Sequence, residues 1–226
     1  VSIAGSNSPS SLASRPIRIC LMDEVDRMPM SSGQEGDPIQ LAARRTANYF
    51  NRKIFLSSTP TVKGESRIEA IFEESDKRYF HLACAGCQEK QVLEWGRVKW
   101  TKKEPEKAHY TCRHCEHPWT EVERKKAIRS GEWIATEPFN GTAGFHLNGL
   151  YSPWVEIPEL VRMFLESKHA GPESLRVFVN TVLAESWESD QGERIDNHEL
   201  IDRKEVYPGD IPDTRVGVLC ASADVQ

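Results

Sequence analysis

A chain of 226 residues, 38% hydrophobic and 28% charged, has the make-up of one large globular domain or two small ones with a real core. No apolar run approaches the roughly 20 residues a spanning helix needs, which excludes such a helix within these residues. A formal net charge of −5 excludes global affinity for nucleic acid, so any such contact requires a local patch. The first residues, from Val1 to Asn7, carry neither a basic segment nor an initiator Met. No signal peptide is therefore expected, and the chain is expected to start inside a longer protein.

Val1–Gly5 reads as the end of a strand, and Ser6–Ser14 as a turn with one short helical turn around Pro9–Ala13. Ile17–Asp26 follows, in which the apolar run Ile19–Met22 is succeeded at once by Asp23 and Glu24. The run has the length of a fully buried parallel strand, as in an α/β sheet. Its carboxyl end is where open α/β sheets hold their ligands. Two carboxylates there suit nucleotide hydrolysis, one acid holding Mg²⁺ and the next polarising the attacking water. The plainer alternative is a strand that stops at two solvated acids. Pro29–Pro38 is a polar loop. Ile39–Phe50 has apolar residues at helical spacing, with Arg44 and Arg45 interposed. Lys53–Leu56 is a second short strand, ending in Ser57-Ser-Thr-Pro-Thr61. Hydroxyls beside an acidic strand end can bond a γ-phosphate or its attacking water and report its loss. The alternative is a turn that merely terminates a strand.

Arg67–Lys77 is an expected helix and Tyr79–Ala83 a strand leading into Cys84-Ala-Gly-Cys87. After 24 intervening residues comes Cys112-Arg-His-Cys115. Two such knuckles offer four thiolates to one tetrahedral Zn²⁺, with Val92–Trp100 and His109–Thr111 as supporting strands. Gly86 is expected to supply a positive φ in the first knuckle. His81, His109, His114 and His117 flank the knuckles but are not needed to complete the shell. Cys20 and Cys220 read as isolated buried thiols. Arg97 to Arg129 holds ten Lys/Arg against five Asp/Glu, interleaved with Trp100, Tyr110 and Trp119 and preceded by Trp95. That mixture suits either a nucleic-acid backbone or a charged face over an aromatic core. Gly144–Trp154 reads as strand and turn, Pro158–His169 as a helix, and the stretch after Gly171-Pro172 as a second helix to about Trp187. Asp190–Asp213 resembles a linker. Val216–Ala221 then begins a strand followed by Asp224, the way a two-metal nuclease site of the ribonuclease H type begins.

Taken together, Leu21-Met-Asp-Glu-Val-Asp26, Ser57–Thr61, the four cysteines, Gly144–Trp154, Phe178–Trp187 and Ala223–Gln226 resemble the large terminase subunit of lambda-like tailed bacteriophages. The resemblance implies an α/β chain. It would comprise the C-terminal half of a P-loop (ASCE-type) ATPase domain with a zinc-ribbon insertion, a helical segment and the first strand of a ribonuclease H-like nuclease. The implied boundaries are 1–78 for the ATPase part, 79–130 for the ribbon, 131–190 for the strand and helices, 191–213 for the linker and 214–226 for the nuclease start. The implied activities are ATP-driven movement of double-stranded DNA into the procapsid and endonucleolytic cutting of concatemers. By the same resemblance Asp23 is the magnesium ligand, Glu24 the catalytic carboxylate, and Ser58, Thr59 and Thr61 the coupling residues. Asp224 is the first nuclease metal ligand, and Arg44 and Arg45 are candidate charge stabilisers. The cofactors implied are structural Zn²⁺ on Cys84, Cys87, Cys112 and Cys115, Mg²⁺ and ATP for the motor, and Mg²⁺ or Mn²⁺ for the nuclease. The implied partners are double-stranded DNA, the small terminase subunit, the procapsid portal and further copies in a ring. No membrane is implied, and the setting is the host bacterial cytoplasm. Two departures are plain: no Gly-x-x-x-x-Gly-Lys-Ser/Thr phosphate loop occurs, and the remaining nuclease acids are missing. The 226 residues alone are therefore expected neither to hydrolyse ATP nor to cut DNA. Two rivals stand beside this. One is a superfamily 2 DNA helicase fragment, whose second-domain arginine motif does not appear after Thr61. The other is a zinc-ribbon DNA-binding or assembly module that uses the 97–129 patch with a steep salt dependence.

Overall fold

A short parallel pair of strands carries the front of the chain. The computed structural model describes residues 1–13, 15–101 and 103–188. The linker, Cys220, the strand expected at 216–221 and Asp224 lie outside the described residues. α1 (Pro9–Ala13) precedes β1 (Ile19–Asp23), α2 (Pro38–Arg44), β2 (Lys53–Ser57) and α3 (Arg67–Glu73). β1 and β2 pair in parallel, from Ile19 opposite Lys53 to Asp23 opposite Ser57.

The expectation of a fully buried β1 is corrected. Cys20 and Met22 are buried with Val25, Ile39 and Ala42, whereas Ile19 and Leu21 face outward, Leu21 being 74% exposed. Among the described residues only one face of the pair is covered, so burial follows the two-residue period of the strand. α2 is also shorter than the Ile39–Phe50 periodicity implied. Asp37 caps its start by accepting from the Ile39 amide, and the helix stops at Arg44. Thr46 turns its hydroxyl onto the Ala43 carbonyl, and Ala47 and Phe50 are exposed, so no packing rewards a further turn.

The rest of the described chain is built around β3 (Arg78–Ala83). It is followed by β4 (Lys90–Gln91), β5 (Val98–Thr101), β6 (Glu104–Thr111), β7 (Pro118–Trp119), α4 (Glu121–Arg129), β8 (Glu132–Ala135) and β9 (Phe145–His146). β3 pairs antiparallel with β4 at one end and with β8 along the other, and parallel with β9, while β5, β6 and β7 form a separate three-stranded sheet. α4 opens with a capping box between Thr120 and Glu123. α5 (Ile157–Ala170) and α6 (Pro172–Phe178) complete the helices among the described residues, and α6 runs straight into a π-helical turn, Val179–Leu183. The helix expected to reach Trp187 ends there because Ala184 adopts a left-handed conformation, φ 54°.

The cysteine-bearing strands do not form a satellite. Leu82, Leu93, Val98, Tyr110 and Trp119 share one core with Leu150, Tyr151, Ile157, Leu160 and Val161. Trp95 and Trp100 pack at tilted and edge-on angles against each other and against Phe164. The aromatics of the basic stretch therefore pack a core. Five of its cations are also ion-paired: Arg97 with Glu116, Lys107 with Glu104, Arg113 with Glu94, Arg124 with Glu121 and Lys125 with Glu156. Buried Arg124 in addition donates to the carbonyls of Leu150, Ser152 and Val155 at 2.5, 3.0 and 2.7 Å, fixing the turn before α5.

β9 lies close to α3 because residue 144 has no side chain. A Cβ there would stand 1.9 Å from Ser75 Oγ and 2.9 Å from Phe72 Cδ2. Ser75 cannot give way freely, since its hydroxyl bonds the Phe72 carbonyl and the Lys77 amide. Gly144→Ala is expected to lower stability by about 1–3 kcal/mol, the usual cost of overpacking, read as a lower urea midpoint with an unchanged slope.

Candidate functional site

Asp23 and Ser57 close the register of the parallel pair, and the Ser57 hydroxyl donates to Asp23 Oδ1 at 2.7 Å. Leu21, Met22, Asp23, Phe55 and Ser57 line an open depression at that end of the sheet. Glu24 then takes a left-handed conformation, φ 53° and ψ 47°, which turns the chain out of the strand into a 3₁₀ turn over Val25–Arg27. A glutamate in that region is uncommon and costs about 1 kcal/mol or more, and such residues gather at functional sites. The turn buries Val25 completely while leaving the Glu24 carboxylate half-exposed.

Two residues to which the sequence assigned no role hold this turn. Arg27 Nη1 donates to Glu24 Oε2 at 2.5 Å and to Thr59 Oγ1 at 2.9 Å, joining the acid to the hydroxyl loop. Asp26 accepts from the Ile68 amide at 2.7 Å and from the Thr61 hydroxyl at 3.0 Å, and its own amide donates to Ser58 Oγ at 3.2 Å. Asp26 thereby binds the strand end, the loop and the first turn of α3, where a carboxylate is favoured by the helix N-terminus. Asp23, Glu24, Ser58, Thr59 and Thr61 are thus brought together. Arg44 and Arg45 are not: the Arg45 carbonyl accepts from Ile17, at the opposite end of β1. Six residues of extended chain, about 20 Å, separate Ile17 from Asp23. Among the described residues, the cation that meets Glu24 is Arg27.

The four cysteines form a second cluster, their Sγ atoms all within 4.8 Å of one another. Cys84 and Cys115 are 3.9 Å apart and Cys87 and Cys112 3.8 Å. A tetrahedron of thiolates about 2.3 Å from a zinc ion has edges of about 3.8 Å, so the donor set and its size fit a metal. The two knuckles are built alike. Cys84 and Cys112 donate their amides to Glu89 and His117 and accept from the amides of Gln88 and Glu116. The left-handed residues are Gln88 (φ 64°) and Glu116 (φ 57°), which corrects the expectation for Gly86. Gly86 supplies room instead, since a Cβ there would meet His117 at 3.1 Å.

Amides of Gly86 and His114 point at Cys84 and Cys112 sulfurs, each at 3.3 Å. Buried Gln91 donates to Cys112 Sγ at 3.2 Å while its oxygen accepts from the Arg113 amide. Burial raises the Cys112 thiol, but the amides of Cys115, His114 and Gln91 outweigh it and bring the group down to about 6. His81, His109 and His117 hydrogen-bond Tyr79, Lys107 and Glu123 through their rings, so the cysteines stand as the donor set. Gln91, which donates to a cysteine of the cluster, was not legible from the Cys spacing.

Comparison with known proteins bears on both clusters. The family model for the ATPase domain of the phage terminase large subunit gpA matches residues 1–133, more than half the chain. The chain belongs to the gpA family of phage terminase large subunits. The gpA endonuclease-domain model matches residues 142–226. The large terminase subunit of Escherichia phage lambda is 30% identical over 249 aligned residues, covering 98% of this chain and 38% of that protein. That of Enterobacteria phage P21 is 28% identical over 240 residues, covering 94% of this chain and 36% of that protein. The chain thus spans well under half the length of the curated relatives it matches. No solved structure matches it. On this gpA chain the acidic turn, the hydroxyl loop and all four cysteines fall within the ATPase match. The segment from β9 through the π turn falls within the endonuclease match, as does Asp224.

Proposed function

We propose that this gpA chain carries the carboxylate and coupling half of an ATP-driven DNA-packaging motor, followed by the start of its endonuclease. The family assignment supports an ATPase and nuclease. The single observation that carries the residue roles is the junction of Asp23 and Glu24 with Ser57–Thr61 at the carboxyl ends of two paired parallel strands. On this reading residues 1–78 are the back of a P-loop ATPase, 79–130 a zinc ribbon, 131–190 its completing strand and helices, 191–213 a linker and 214–226 the nuclease start.

Asp23, Glu24 and the loop fit a magnesium nucleotide: Ser57 orients one Asp23 oxygen, and Arg27 holds Glu24 Oε2, leaving Oε1 to orient water. Magnesium nucleotide, when bound, supplies the phosphoryl group to be cleaved. Asp23 would hold the cation, and Glu24 would accept the proton of the attacking water. Ser58, Thr59 and Thr61 would register loss of the γ-phosphate through the hydroxyl bonds to Asp26 and Arg27. Cys84, Cys87, Cys112 and Cys115 would hold one structural zinc, and Asp224 would contribute to a Mg²⁺ or Mn²⁺ nuclease site. Double-stranded DNA, the small subunit, the procapsid portal and a ring of copies in the host cytoplasm are the corresponding partners. The helicase rival loses its footing to the family assignment, and the DNA-binding ribbon rival is weakened by the core packing of its aromatics and the pairing of half of its cations.

The test is DNA-stimulated ATP hydrolysis by the full-length gene product. Asp23→Asn keeps an acceptor for Ser57 but removes the charge, so turnover should fall by about 10²-fold or more and recover in part at high Mg²⁺. Unchanged turnover at low Mg²⁺ would remove Asp23 from the site.

A further inference from the structure

The two cysteine knuckles repeat one another position by position, Cys84–Gln91 against Cys112–Trp119. Both make the same turn and the same amide-to-sulfur bond. Their strand pairing repeats too. Leu82 faces Gln91 and Ala83 faces Lys90 in the first, Tyr110 faces Trp119 and Thr111 faces Pro118 in the second.

The repeat breaks at its last position. The Trp119 indole nitrogen is buried and makes no hydrogen bond among the described residues. Gln91, 1% exposed, reaches instead across to the other knuckle. Its Nε2 donates to Cys112 Sγ at 3.2 Å, and its oxygen accepts from the Arg113 amide at 2.9 Å. Arg97 holds the same stretch from the backbone side, donating to the Cys112 carbonyl at 2.5 Å and the Thr111 carbonyl at 3.2 Å. Cys112 is thus fixed at its sulfur and at its carbonyl by side chains from outside its own turn. The four thiols also differ in access. Cys84 and Cys112 are fully buried, Cys87 is half-buried and Cys115 is exposed. The cluster has a closed side and an open one, and Gln91 meets it on the closed side.

We propose, on the zinc reading given above, that Gln91 is a positioning residue that makes Cys112 the retained, unreactive ligand of the metal, and that Cys115 is the ligand at which metal is lost and electrophiles enter. Four thiolates around one divalent ion leave an excess of negative charge on sulfur. A donated N–H draws off part of that charge and fixes the direction of the sulfur lone pairs. The amides of Gly86 and His114 do this equally in the two knuckles, and Gln91 adds a further donor to Cys112. Because one amide spans from β4 to the second knuckle, it also holds the two knuckles at the spacing one metal needs. A thiolate that keeps its charge and faces solvent is the better nucleophile, and that describes Cys115.

The experiment uses the full-length gene product loaded with Co²⁺, whose sulfur-to-metal charge-transfer band reads only metal held by thiolates. Gln91→Glu keeps an acceptor for the Arg113 amide but removes the donor to Cys112. Gln91→Met removes the donor without adding charge. Both should lower metal affinity, read by competition with a chelator, by about 10–100-fold, the usual cost of losing a partner that orients a ligand. Both should also move the band to longer wavelength, because a sulfur without its donor gives up an electron more readily. A role in packing alone would weaken binding and leave the band in place. Lys90→Ala, on the outer side of the same strand and paired with Glu132, should match wild type in both readings.

Labelling of the zinc-loaded protein with N-ethylmaleimide, whose double bond takes up the thiolate sulfur and a proton from water, gives a reading on wild type. Peptide mapping should find Cys115 modified first and Cys112 last of the four, and in Gln91→Glu the two should react in step. Wild-type affinity in both Gln91 variants, an unmoved band, or Cys112 modified ahead of Cys115 in wild type overturns the proposal. A wild type with no charge-transfer band means instead that the zinc reading itself has failed.

Discussion

Glu24→Ala should reduce DNA-stimulated ATP hydrolysis by the full-length gene product by at least about 10²-fold, the low end of what a general base contributes. In the proposed role the carboxylate would act on the attacking water and would not hold the nucleotide, so the effect should fall on kcat more than on KM. Folding should survive. Glu24 is half-exposed, and the partner its carboxylate has is Arg27, which keeps its bond to Thr59. Alanine meets the same left-handed backbone at much the same cost, so secondary structure and metal content should match wild type. A Glu24→Ala protein that turns over normally would show that the acidic turn is only a strand end. A protein that loses activity together with its metal and its fold would show that the turn is structural.

The second large effect is on the cysteine cluster. Cys112→Ser should remove one equivalent of bound zinc and unfold β4–β7. A structural zinc site contributes about 10–16 kcal/mol of apparent binding energy at neutral pH, comparable to or above the net stability of about 5–15 kcal/mol of a whole domain. The damage should spread beyond the knuckles, because their core is continuous with Leu150, Ile157 and Leu160. Fluorescence of Trp95, Trp100 and Trp119 should shift red together, and helix content should fall. A strong chelator should produce the same change in wild type, reversed by added zinc. Retention of the native spectrum by metal-free protein would mean that the apolar core suffices and that the thiols are incidental to the fold.

Several features of this chain are written in adjacent residues. Two Cys-x-x-Cys pairs place four sulfurs by tight-turn geometry, and the structure gathers them within 4.8 Å of one another. The parallel pairing of two short apolar runs, and the meeting of Asp23 with a hydroxyl loop, were legible because each run carries its functional residues at its own carboxyl end. Gly86 shows the limit of such reasoning. The knuckle did need left-handed residues, but Gln88 and Glu116 provide them, since hydrogen bonds across each turn hold any residue there.

The sequence by itself determined the grouping of the four cysteines, the acidic strand end and the family, because each depends on residue types at short, fixed spacings. Only the tertiary structure decided which face of β1 is covered, that Trp95 and Trp100 pack a core, and that Arg27 rather than Arg44 or Arg45 meets Glu24. It alone brought Asp26 to α3 and Asn180 to the Pro60 and Thr61 carbonyls. The Asp26 and Asn180 pairings join groups 42 to 120 residues apart, for which local periodicity carries no information. They form because a folded chain must find partners for its buried carbonyls and amides wherever packing brings donors and acceptors together.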